Sequence, residues 1–122
     1  MEAEQMKNRE FVFACLHRLQ AAGALTETVL ALLTDPEACR REFCMSSGFA
    51  VLQEVPSHCG AEQLTALCHV GTKRRYYQEV FRHGERAFVA VNHWYGPGRS
   101  MPDNRTPFLR WVEGLTERAQ KG

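Results

Sequence analysis

The chain has 122 residues, 44% of them hydrophobic and 24% charged, and a formal net charge of +1. These values exclude a wholly disordered chain, and the length fits one domain able to bury its own core, so residues 1–122 are read as a single domain. Apolar runs such as 29–33 are too short for a spanning helix, and the opening MEAEQMKNRE lacks the basic-then-apolar order of a secretory leader. The expectation is a cytoplasmic protein with no membrane partner.

Residues 3–22 carry the first helical period. Phe11, Cys15, Leu19 and Ala22 recur at helical spacing, and Val12 and Leu16 widen the stripe. Gly23 supplies a stop. A second helix is predicted over 26–34, capped by Thr26, with Leu25, Val29, Leu32 and Leu33 on one face. Asp35-Pro36 starts a third over about 36–46. The aspartate accepts from free first-turn N–H groups, and proline loses nothing at the first helical position. Cys39 and Phe43 form its inner edge, and Ser46-Ser47-Gly48 ends it.

Residues 49–55 fit two periods. Phe49, Val51 and Val55 alternate as in a strand, while 49–52 would also extend a helix; Pro56 ends the segment either way. A short helix follows over 61–70 through Leu64, Leu67 and Cys68, stopped near Gly71. The period then becomes two. Tyr77, Glu79 and Phe81 alternate with Tyr76, Gln78 and Val80; Phe88, Ala90, Asn92 and Trp94 alternate with Val89, Val91, His93 and Tyr95. With His83-Gly84-Glu85 between them, the two runs predict an antiparallel hairpin with either row facing the core.

Residues 96–105 have loop composition. The last helix is expected to be capped by Thr106 and opened by Pro107, with a core stripe of Phe108, Trp111, Val112 and Leu115. The predicted fold class is α+β: N-terminal helices, a small antiparallel sheet with a β-hairpin, and a C-terminal helix packed on it. The order allows a winged-helix-like arrangement, although residues 48–72 separate the helix pair from the hairpin.

Charge is unevenly spread. Residues 1–72 carry five basic and nine acidic side chains, residues 73–122 ten basic and five acidic. A basic half of this kind marks a surface for polyanions, or balances the acidic half within the fold or across a dimer. The helices over 26–34 and 36–46 have the lengths of a helix-turn-helix pair, with Arg40 and Arg41 on the second helix. Lys73, Arg74 and Arg75 precede the hairpin, and Arg82 and Arg86 flank its tip. These seven residues are the expected nucleic-acid contacts, and DNA the expected partner. The alternative is a protein partner or a homodimer, because Tyr76, Tyr77, Trp94, Tyr95 and Trp111 lie near Arg99, Arg105 and Arg110.

No cofactor, metal or catalytic residue is expected. Cys39, Cys44, His58-Cys59 and Cys68-His69 are zinc-type ligands, but their spacing matches no knuckle. Five cysteines, an odd number, predict reduced thiols, with Cys15, Cys39 and Cys68 on inner helix faces. His83 and His93 have no acidic cluster beside them in sequence. No phosphate-cradling glycine loop occurs.

Overall fold

A computed structural model describes residues 7–45 and 48–121. The first helix, α1 (Asn8–Ala21), starts later than the sequence suggests, because Lys7 is extended at φ −64°, ψ 152°. Residues 3–6 of that expected helix lie outside the described residues. Its end is a glycine-terminated Schellman turn. Gly23 sits at φ +69°, its N–H bonds Gln20 O, and the Ala24 N–H bonds Leu19 O.

Helices α2 (Glu27–Leu33) and α3 (Pro36–Phe43) carry the predicted caps. Thr26 Oγ1 accepts from Val29 N at 3.2 Å, and Asp35 Oδ1 from Glu37 N at 3.0 Å. α3 ends before the predicted serine–glycine stop. Cys44 adopts φ +61° and terminates the helix in the left-handed region, which costs a residue with a Cβ about 1 kcal/mol. Ser46 and Ser47 lie outside the described residues.

The ambiguous segment 49–55 resolves into a strand only over its second part, β1 (Leu52–Val55). After α4 (Ala61–Leu67), a two-residue strand β2 (His69–Val70) pairs with β3 (Lys73–Arg74). Lys73 and Arg74 therefore belong to their own ribbon, not to the stem of the next hairpin. The predicted hairpin is β4 (Phe81–His83) and β5 (Arg86–Ala90), turning on Gly84 at φ +61°. Its first arm is shorter than the alternation implied: Tyr76 makes only an isolated bridge to Val91. The order of the antiparallel sheet is β1-β5-β4, with Leu52 opposite Ala90 and Phe81 opposite Phe88. The closing helix α5 (Arg105–Lys121) completes an α+β fold.

Both rows of β5 are buried, because this central strand is covered on each face. On the Phe88 side, His17 of α1 meets the Phe81 ring at 5.4 Å. On the Val89 side, Gln53 donates to Leu67 O of α4 at 2.9 Å. The C-terminal helix docks through aromatic edges. Phe108 lies 4.9 Å from Trp94, 5.1 Å from Phe43 and 6.1 Å from Phe11. Trp111 completes the group at 5.0 Å from Phe43.

The start of α5 departs from the predicted cap. Thr106 lies inside the helix, and Asp103 Oδ1 accepts its N–H at 3.0 Å. A capping side chain must stand outside the helix to reach the first free donors, which places that role on Asp103. Asn104, 1% exposed, ties this end to the chain after β5. Its Oδ1 accepts from Tyr95 N at 2.7 Å, and its Nδ2 donates to His93 O at 2.9 Å. Among the described residues, no helix is long and apolar enough to cross a membrane.

Candidate nucleic-acid interface

Lys73 and Arg74 stand on the β2–β3 ribbon, which turns through Gly71 at φ +65°. Both side chains are exposed, and neither has a carboxylate within ion-pair distance among the described residues. Val70, opposite Lys73, is 52% exposed. The ribbon is held at its base: Cys68 O accepts from Arg75 N at 2.8 Å, and Arg74 O accepts from Asn92 Nδ2 at 2.9 Å.

Arg75 turns inward. Its Nη1 lies 2.6 Å from His93 Nε2, and its guanidinium lies 5.3 Å from the Phe49 ring centre. A guanidinium has only donors, so His93 accepts through Nε2 and is neutral, with its proton on Nδ1. Burial, then the Arg75 charge, hold the His93 pKa below its ordinary 6.5. Arg75 Nε and His93 Nδ1 are buried without a protein partner among the described residues.

Arg82 and Arg86 do not converge. Arg82 is opposite Ala87, and Arg86 is opposite His83, so strand alternation sends their side chains to opposite faces. Arg82 is exposed, and its backbone oxygen accepts from Gln20 Nε2 at 2.8 Å. Arg86 is engaged within the fold. Its Nε and Nη2 reach Glu54 at 2.9 and 2.8 Å, and Nη1 reaches Glu27 at 2.7 Å. The Arg86 fork lowers the Glu54 pKa, chiefly by hydrogen bonding. Arg40 and Arg41 are exposed on α3 and paired with Glu37 at 2.7 Å and Glu42 at 3.3 Å. Exposed pairs of this kind contribute little and exchange readily.

A cleft lies where the chain leaves β5 and enters α5. Two adjoining cavities of about 280 and 360 Å³ share Gly96, Arg99 and Arg105. The second adds Asn8, Tyr95 and Ser100, and no carboxylate lines either among the described residues. Arg105 lies over the Phe11 ring at 4.4 Å and donates to Asn8 Oδ1 at 3.3 Å. The cleft is absent from the sequence-level site because its parts lie in a loop, at two helix starts and after a strand. The Gly96-Pro97-Gly98 turn and the nearby Arg99 and Arg105 were its only local signals.

The thiols are largely accounted for by packing. Burial pushes Cys15 up to about 12 and Cys39 up to about 11, and also raises Cys68. Cys39 Sγ accepts from Val51 N at 3.4 Å, which ties α3 to the start of the sheet. Among the described residues, no three His, Cys, Asp or Glu side chains converge as a metal site. The chain matches no protein-family model, and no curated protein or solved structure proves similar to it.

Proposed function

We propose that this chain is a nucleic-acid-binding module whose primary contact element is the β2–β3 ribbon. The observation that carries this reading is the pair Lys73 and Arg74, exposed and without a carboxylate partner among the described residues. The exposed cations of the ribbon attract phosphate whatever the sequence. Arg82 adds an exposed charge on the following hairpin. Arg40 and Arg41 add phosphate contacts by exchanging their pairing with Glu37 and Glu42. Arg75 and Arg86 position neighbouring elements. Buried thiols suit a reducing compartment such as the cytoplasm.

Fluorescence anisotropy with mixed-sequence oligonucleotides tests this reading. Binding is expected at low ionic strength and should fall steeply with added salt. Lys73→Ala with Arg74→Ala should weaken it for all sequences alike and reduce the log–log salt slope by about 1–2. No binding at the lowest salt would refute the proposal. The second reading, a protein partner or homodimer, draws on the 52% exposure of Val70. A light-scattering dilution series that finds a stable dimer, dispersed by Val70→Ser, would favour it.

A further inference from the structure

We propose that the nucleic acid bound is single-stranded and lies along a track from β3 to the start of α5. This builds on the nucleic-acid reading above. The track has cations at both ends and rings between them. Lys73 and Arg74 stand at one end, beside Asn92, whose side chain bonds Arg74 O. His93 follows, its ring 5.0 Å from Phe49 and 6.4 Å from Tyr95. Tyr95 lines the cleft that also holds Arg99. From residue 92 to residue 96 the backbone spans at most about 14 Å, so the two cationic ends are served by a few nucleotides.

Folding explains the placement of the Tyr95 backbone better than it explains the ring. The Tyr95 N–H bonds Asn104 Oδ1 at 2.7 Å, and Tyr95 O accepts from Asn104 N at 2.9 Å and Arg105 N at 3.2 Å. These three bonds fix the residue, while its ring remains half-buried at the mouth of an arginine-lined cleft. A fixed, partly open aromatic ring beside the exposed cation Arg99 is the arrangement that holds unstacked bases and their phosphates. A duplex offers the phosphates but keeps its base faces covered, and would leave the ring unused. Arg99 is exposed and has no carboxylate partner among the described residues, so phosphate supplies its counter-charge.

The test compares a twelve-residue oligothymidine with a duplex of the same length by anisotropy at low salt, using the full chain. The oligothymidine should bind at least about ten-fold more tightly. Tyr95→Ala should weaken it about ten-fold, as the loss of one stacked base does, with the salt slope unchanged. Tyr95→Phe should retain the affinity, which separates stacking from folding. Arg99→Ala should reduce the slope by about 0.7. Equal or tighter duplex binding overturns the proposal. So does a Tyr95→Ala affinity equal to wild type, even where Lys73→Ala still weakens binding and the nucleic-acid reading stands. Absence of binding to either probe removes both.

Discussion

Two hairpins in this chain share one turn and differ in what surrounds it. Gly71 at φ +65° and Gly84 at φ +61° each open a two-residue connection between antiparallel strands. Past the turns they diverge. The β4–β5 hairpin places Phe81, Ala87, Phe88, Val89 and Ala90 in the core, and one of its two arginines, Arg86, is held by two carboxylates. The β2–β3 ribbon holds four residues, His69, Val70, Lys73 and Arg74, none of them buried. A glycine at the same turn position thus serves a packed element and a presented one. The apolar content of the strands decides which.

The largest expected effect breaks the packed hairpin. Phe88→Ala should cost about 3–5 kcal/mol in urea unfolding, because it empties a fully buried site. Val70→Ala, its counterpart on the ribbon, should stay within about 0.5 kcal/mol of wild type. A comparable loss at Val70 would show that the ribbon is part of the cooperative core.

The turn glycines sharpen the contrast. Alanine at Gly84 forces a left-handed backbone and should cost about 1–2 kcal/mol of global stability. The same change at Gly71 should instead speed hydrogen exchange at the β2–β3 amides and leave the thermal midpoint nearly unchanged. Equal shifts in the midpoint would contradict the independence of the ribbon.

Charge gives smaller effects with a definite pH dependence. The Glu54 pKa is lowered in the fold, so the Arg86–Glu54 bond stabilises above the ordinary carboxylate range and is lost as pH falls through the lowered value. Arg86→Ala should therefore lower the thermal midpoint at neutral pH, with a deficit that shrinks in acid. His93 also has a lowered pKa, but as a base it has the opposite charge relation. Its neutral form accepts from Arg75, and the unfolded chain takes up the proton first, so stability falls as pH drops below about 6.5. His93→Gln should flatten that part of the pH–stability curve. An unchanged slope would place the titration elsewhere.

Much of the fold was legible because its signals are local. Thr26, Asp35-Pro36 and Gly23 mark helix ends by satisfying backbone groups within four residues, and Gly84 marks a turn in the same way. The ribbon escaped notice because two-residue strands show no period. The cap of α5 was misassigned because Asp103 and Thr106 are both capping residue types, and only the helix start selects between them.

The site was less legible than the fold. All seven basic residues are visible in the sequence, but not what faces each of them. Arg86 meets Glu54 and Glu27, 32 and 59 positions away, and Arg75 meets His93 after a separation of 18. Lys73 and Arg74 meet no such partner among the described residues. The sequence by itself determined the Thr26 and Asp35 caps, the Gly23 stop, the turn of the main hairpin and the supply of cations, since these depend on neighbours along the chain. Tertiary structure alone decided which cations are neutralised, that both faces of β5 are covered, and how Asn104 clamps Tyr95. Those outcomes depend on distances between remote segments, and the packing of the core fixes those distances.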